Sequence, residues 1–263
     1  MTLPMTPEQI EILQEQARQA ILSHQSASVA MLQRALKLGW NRSNALMSQF
    51  EGELVSAPLH GGGRIVLPRV LDLTHTDHPV NTYWLRPEQL MAGEYPGAPD
   101  LAVARRKLQD FLNRGFTAFL DLTEAGELCH YEPLLAELAR ERRIDCEYRR
   151  MPIRDVDVPE HPRQMHDILE QIQRWLRQGR QIYFHCWGGV GRTGTVAGCY
   201  LVQHSYSGEA ALAQLQLLWT RMSADKRRRK PESPETQAQR DYVLNWDAME
   251  TALYLEDQPD DLV

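Results

Sequence analysis

Four cysteines occur in 263 residues, Cys129, Cys146, Cys186 and Cys199, and no two form a CxxC pair. This excludes a disulfide-stapled scaffold and a cysteine zinc site, and it fits a reducing compartment where a free thiol persists. No apolar run approaches the roughly 18 residues of a membrane span. The first residues, Met1-Thr2-Leu3-Pro4, lack the basic and apolar regions of a signal peptide, so a cytoplasmic protein with no membrane contact is expected. Positive charge is not in excess either: 29 Lys and Arg stand against 35 Asp and Glu, a net charge of −6, which gives no global pull toward nucleic acid. The remainder, 43% hydrophobic and 24% charged, is ordinary for a globular chain of one large or two smaller domains.

Against that plain background one stretch stands out, His185-Cys186-Trp187-Gly188-Gly189-Val190-Gly191-Arg192-Thr193-Gly194. It follows a strand-like run, Gln181-Ile182-Tyr183-Phe184, and precedes a helix-like run from Thr195 to Val202. A phosphate monoester needs many donors around its oxygens and a nucleophile in line behind phosphorus. Gly188, Gly189 and Gly191 let the backbone curl so that its N–H groups face one anion. A helix starting near Arg192 adds its positive dipole end, and the guanidinium can hold two oxygens bidentately. The same field favours a thiolate at Cys186, able to attack phosphorus. Thr193 is placed to hydrogen-bond the sulfur, and His185 to fix the loop from behind. Trp187 and Val190 complete the phosphate-binding turn. No metal or cofactor is required.

Strands are predicted at Tyr83–Leu85, Leu90–Ala92, Phe116–Asp121, Asp145–Met151 and Gln181–His185. Helices are predicted at Leu101–Asn113, Tyr131–Arg142, Pro162–Gln178, Arg192–His204, Gly208–Met222 and Pro234–Ala252, the last capped by Ser233. This alternation predicts an α/β fold with a mostly parallel central sheet flanked by helices, with ligand at the carboxyl ends of the strands. The run Lys226-Arg227-Arg228-Arg229-Lys230 reads as a solvated loop, with attraction for acidic or phosphorylated partners as the alternative.

His-Cys-x5-Arg-Thr-Gly resembles the signature of the cysteine-dependent protein tyrosine and dual-specificity phosphatases. Ala92-Gly93-Glu94-Tyr95-Pro96-Gly97 is similar to bacterial dual-specificity-like members. The likeness covers about residues 80–250 and implies a cysteinyl-phosphate intermediate, with Cys186 as nucleophile and Arg192 as phosphate clamp. Ile153-Arg154-Asp155-Val156-Asp157-Val158-Pro159 matches the family's acid loop, which makes Asp155 the expected general acid and Asp157 the runner-up. Ser233 to Arg240 resembles the segment carrying the family's water-positioning glutamine, best matched by Gln239, with Gln237 as the other candidate. The implied substrate is a phosphorylated protein. The family's phosphoinositide-directed loops often carry lysines between cysteine and arginine, and the absence of lysine here counts against inositol lipids.

Three short helices are predicted before this region. The first opens on a Thr6/Gln9 capping box with Met5 and Ile10 as a hydrophobic staple. The second spans Ser28–Leu38 and ends on Gly39, and the third is capped by Asn41. Leu54-Val55-Ser56 and Arg64–Leu67 flank His60-Gly61-Gly62-Gly63 as a hairpin wing. Leu32-Gln33-Arg34, Gly39-Trp40-Asn41-Arg42, Gln49-Phe50-Glu51 and Leu54-Val55-Ser56 resemble the winged-helix gamma domain of the FtsK/SpoIIIE DNA translocases. The resemblance implies a winged helix-turn-helix at 1–68, a linker at 69–80 and the phosphatase domain at 81–263. It places Asn41 and Arg42 at the N-terminus of a DNA-reading helix. Charge within 1–68 is balanced, so duplex DNA and a protein-docking partner both stay open. A regulator that binds phosphorylated partners without turnover is the reading from another class.

Overall fold

A computed structural model describes residues 6–24, 26–52, 54–58, 63–66, 78–204 and 206–256. The first helix, α1 (Pro7–His24), opens on the expected capping box: Thr6 N–H donates to Gln9 Oε1 at 3.0 Å and Gln9 N–H to Thr6 Oγ1 at 3.3 Å. Met5, the expected staple partner, lies outside the described residues. Ser28 caps α2 (Val29–Leu36) by accepting from Met31 N–H. Gly39 does not end this helix. Lys37 takes the left-handed conformation instead (φ 52°), because its N–H and that of Leu38 both close on Gln33 O. Gly39 becomes the residue before α3 (Trp40–Gln49) and offers no side-chain cap, so Asn41 sits inside the first turn rather than capping it.

Among the described residues the wing shows an antiparallel bridge, Val55 with Val66, and a Ser56 N–H to Ile65 O bond at 2.9 Å. His60, Gly61, Gly62, Leu67 and most of the expected linker (69–77) lie outside the described residues.

The remaining elements are β1 (Thr82–Arg86), β2 (Leu90–Gly93), α4 (Leu101–Asn113), β3 (Phe116–Asp121), α5 (Glu132–Glu141) and β4 (Glu147–Arg150). They continue with α6 (Pro162–Arg177), β5 (Gln181–His185), α7 (Gly191–Gln203), α8 (Gly208–Trp219), α9 (Ala224–Arg229), α10 (Gln237–Leu244) and α11 (Trp246–Glu256). The strand order is β1-β2-β5-β3-β4, antiparallel for β1 with β2 and parallel elsewhere. The expected α/β fold with a mostly parallel sheet is therefore present, and β5 lies at its centre.

Side-chain alternation explains the layers. On β5, Ile182 and Phe184 join one core while Tyr183 joins the other; on β2, Leu90 and Ala92 oppose Met91 in the same way. α4 and α5 cover one face with Leu108, Phe111, Leu135 and Leu138. α6 and α7 cover the other with Ile168, Ile172, Val196 and Ala197. Burying both faces of a parallel sheet leaves only strand ends open to ligand. The N-terminal helices share the second core through Ile21, Leu32 and Met47, and Ala27 N–H donates to Tyr206 Oη at 3.4 Å.

Two expectations near the C-terminus are corrected. The basic run is helical, as α9, where Asp225 pairs with Arg228 at 2.5 Å and with Arg229 at 2.7 Å along one helix face. The predicted Pro234–Ala252 helix is two helices, and Thr236 caps the first, because the Ser233 hydroxyl is bonded elsewhere. Among the described residues no helix is long and apolar enough to cross a membrane.

One close interhelical approach is at Gly198 on α7, where an added Cβ would stand 2.6 Å from Val243 Cγ2 on α10. Gly198→Val should cost roughly 1–3 kcal/mol by overpacking. The measurement is the urea midpoint; a value equal to wild type would show that the two helices do not meet this closely.

Candidate active site

β5 ends at His185, and α7 begins at Gly191. Between them, four carbonyls are each held by a donor outside the loop's own turn. Cys186 O accepts from His185 Nδ1 at 3.0 Å, and Trp187 O from Tyr95 N–H at 2.9 Å. Gly188 O accepts from Lys226 Nζ at 2.6 Å, and Val190 O from Ser233 Oγ at 2.8 Å. A peptide is planar and trans, so each N–H points opposite to the carbonyl it is bonded to. Holding those carbonyls outward therefore turns the N–H groups of Trp187, Gly188, Gly189 and Gly191 toward the hollow above Cys186. None of the four has a hydrogen-bond partner among the described residues. An arc of unpaired N–H groups at a helix N-terminus is an anion site.

The glycines have separate reasons. Gly189 needs its left-handed φ of 69°, and a Cβ there would strike the Gly93 backbone and stand 2.7 Å from Glu94 N. His185 is fully buried between the loop and Tyr131, whose hydroxyl is 2.7 Å from Nε2. Its Nδ1 carries the proton given to Cys186 O. Burial holds the ring's pKa below the usual histidine value, consistent with a neutral imidazole.

Arg192 is 1% exposed and joins three strand ends. Its Nη1 donates to Glu127 Oε2 at 2.8 Å and to Ile153 O at 3.2 Å. Its Nη2 meets Glu127 Oε1 at 2.6 Å and Asp155 Oδ1 at 2.8 Å. Nε has no partner. Burial opposes the charge on both Arg192 and Glu127, but their pairing prevails, raising the arginine's pKa and lowering the carboxyl's. The guanidinium edge formed by Nε and Nη2 is thus half open, with Asp155 at the other half. Glu127 was not singled out from the sequence; nothing local marks it, because its partner is 65 positions away.

Cys186 (3% exposed) lies in a cavity of about 490 Å³ that also brings together Asp155, Trp187, Val190 and Arg192. Asp155 is half-exposed on its loop, next to Val156 in a left-handed conformation (φ 62°). Asp157 does not line this cavity; its Oδ1 accepts from Val158 N–H. Thr193 is buried, and its hydroxyl has no hydrogen-bond partner among the described residues, the Cys186 sulfur included.

Gln239 is fully buried against Gly191. Its Oε1 accepts from Thr236 N–H at 3.2 Å, and its Nε2 donates to Asp157 O at 3.0 Å. It therefore ties the Asp155–Asp157 loop to the start of α7, whereas Gln237 is exposed and bonded to Asp241. The loop's lack of lysine does not make the cavity lysine-free. Lys226, Arg229 and Lys230 line it from and just beyond α9, although Glu94, Asp225 and Glu235 pair with them in turn.

At the N-terminal end, Asn41 and Arg42 are exposed on α3. Arg64 is buried in a network with Glu51, Ser56 O and Ser48.

Residues 79–243 match the family described as Swiss Army Knife protein, DSP-PTPase phosphatase domain, and residues 8–69 match the FtsK gamma domain. A stretch of 54 residues is 43% identical to DNA translocase FtsK 2 of Neisseria meningitidis; it is 20% of this chain and 5% of that protein, so the chain spans a small fraction of this curated relative. The crystal structure of kinase associated phosphatase, with its catalytic-site cysteine replaced by serine, aligns at a TM-score of 0.50 and 22% identity, covering 66% of this chain and 98% of that one. That likeness shows the fold. A mutant form of Tk-PTP aligns at a TM-score of 0.48 and 26% identity, over 66% of this chain and 97% of that one.

Lys226→Met would leave Gly188 O without its outward donor. Orthovanadate, a phosphate analogue, should then bind about tenfold more weakly, and Lys226→Arg should restore most of the affinity. Equal affinity in the methionine variant would mean that the loop keeps its shape without this brace.

Proposed function

Because the chain belongs to the Swiss Army Knife DSP-PTPase phosphatase family, we propose that this cysteine-based phosphatase acts on phosphorylated protein, with phosphotyrosine as its leading substrate. The observation that carries the reading is the unpaired edge of the site: four N–H groups and Arg192 Nε converge above Cys186 with no protein acceptor. A phosphate dianion supplies those acceptors. It takes Nε and displaces Asp155 from Nη2, while Glu127 keeps hold of the other end of the guanidinium.

The chemistry then has two steps. The Cys186 thiolate attacks phosphorus, the bond to the leaving oxygen breaks, and Asp155 gives that oxygen its proton. Water next attacks the cysteinyl-phosphate, passes its proton to Asp155, and the thiolate leaves. Gln239 supports both steps by fixing the acid loop through Asp157 O. Thr193, close in sequence and buried, is free to turn its hydroxyl to the departing sulfur.

An aryl leaving group fits the rim, where Trp187 is 60% and Val156 57% exposed beside a buried nucleophile. Lys226, Arg229 and Lys230 at the same cavity favour an inositol phosphate as the second reading. Their three acidic partners leave little surplus charge for a highly phosphorylated ring, which ranks it below phosphotyrosine.

For residues 1–68 we assign a carrier role, with duplex DNA contacted through Asn41 and Arg42. Exposure of both on α3 supports this. Arg64 is spent on Glu51 and adds nothing to phosphate contact, so a protein partner is the competing reading.

Cys186→Ser should lower p-nitrophenyl phosphate turnover by at least about 10³-fold; wild-type activity in that variant would sink the thiol mechanism. Asp155→Asn should lower kcat by about 10²–10⁴-fold while Asp157→Asn changes it little; the reverse order would make Asp157 the acid. Scored over phosphotyrosine peptides, phosphoserine peptides and inositol phosphates, wild type should prefer the first group. Gel shifts of the full chain on duplex DNA across a salt series address the carrier role: binding should weaken in Arg42→Ala. Absence of any shift at low salt would leave protein docking.

A further inference from the structure

A second cavity, of about 660 Å³, opens between the N-terminal helices and the phosphatase domain at the opposite end of α7 from Arg192. Arg34, on α2, lines one wall, and Arg86, at the end of β1, lines the other. Three acceptors in or beside this cavity already have donors, and the carboxylate that lines it is Glu250. Ala20 O, in the last turns of α1, is bonded by His24 Nδ1 at 2.9 Å. Tyr200 O, in the last turn of α7, is bonded by His204 Nδ1 at 2.7 Å. The Glu250 carboxylate takes the side-chain amide of Gln203.

The two arginines are not paired with that carboxylate. Among the described residues neither Arg34 nor Arg86 has a carboxylate within salt-bridge distance. Both fields reach His204: burial chiefly, helped by Arg86, Arg34 and His24 and opposed by the hydrogen bond to Tyr200 O, pushes its pKa below the usual histidine value. Its ring is neutral in the hydrogen-bond pattern as well, since Nδ1 donates and Nε2 accepts from Gln173. Two guanidiniums without a carboxylate partner thus face one cavity from two different segments of the chain.

We propose that this cavity binds a small phosphorylated dianion that bridges Arg34 and Arg86. Guanidinium forks match phosphate oxygens bidentately, and one ligand touching both walls converts a repulsion into a link. The volume exceeds what a lone phosphate fills and suits a metabolite-sized molecule. The site is distinct from the catalytic one: α7, with 13 residues, separates them by about 20 Å of helix. A ligand there ties the N-terminal helices to the phosphatase domain and stabilises the pair by mass action.

Inorganic pyrophosphate is the probe, used on the full chain after Cys186 has been carboxymethylated with iodoacetate to fill the catalytic loop. Calorimetry should still find one pyrophosphate per chain, with affinity that falls as salt rises, and the ligand should raise Tm. Arg34→Gln, a change at an exposed position, should weaken this binding by about tenfold or more, and adding Arg86→Gln should remove it. Loss of all binding on carboxymethylation, or undiminished binding in Arg34→Gln, would overturn the proposal. Neither result depends on turnover, so the phosphatase reading stands or falls separately.

Discussion

Peptide planarity is the constraint on which the site depends. An N–H can face an anion only if the carbonyl behind it is content facing away. Four carbonyls between Cys186 and Val190 are therefore bonded by His185, Tyr95, Lys226 and Ser233. These donors come from β5, from the turn after β2, from α9 and from the segment before α10. The sheet, the α8–α9 region and the C-terminal helices thus converge on five loop residues, and each secures one peptide orientation. The cradle is preorganised, so ordering it adds little cost when a phosphate arrives.

Arg192 plays the corresponding part for the side chains. Its guanidinium is bonded to Glu127 after β3, to Ile153 O after β4 and to Asp155 on the loop before α6. These are carboxyl ends of adjacent parallel strands, where backbone groups and loops point the same way. Glu127 fixes the arginine's end, which leaves the Nε edge aimed at the hollow. Asp155 occupies the remaining half of that edge, within reach of any phosphate that replaces it. The loop carrying Asp155 is in turn tied by Gln239 to Gly191's neighbourhood, so that loop and the cradle keep register through one buried amide.

The N-terminal helices are built into this arrangement through a shared apolar core and through Ala27 and Tyr206. Gly63, from the wing, packs so closely on α8 that a Cβ would stand 2.7 Å from Ala210 Cβ. The wing side therefore faces the phosphatase domain, and α3 keeps its Trp40, Asn41 and Arg42 outward. The charge balance within 1–68 has a structural counterpart: Arg64 is committed internally and Arg34 turns toward the cavity beside α7.

The sequence by itself determined the sheet, the sandwiching helices and the chemistry of the 185–194 loop. Those features depend on local periodicity and on residues adjacent in the chain: the alternation within β2 and β5, a cysteine at a strand end, glycines at a turn, an arginine at a helix start. It also singled out Asp155, which the fold sets in one cavity with Cys186. Tertiary structure alone decided what holds these groups. The roles of Glu127, Lys226 and Ser233 in holding the site carry no local signal, because each is defined by a partner tens of residues away. The same reason explains the misreadings. Ser233 has the look of a helix cap until the fold offers its hydroxyl to Val190 O. The basic run has the look of a solvated loop until i,i+3 and i,i+4 pairing makes it α9 and Lys226 turns inward. A side chain with two possible partners goes to the one that burial leaves unsatisfied, and that choice exists only once the chain has folded.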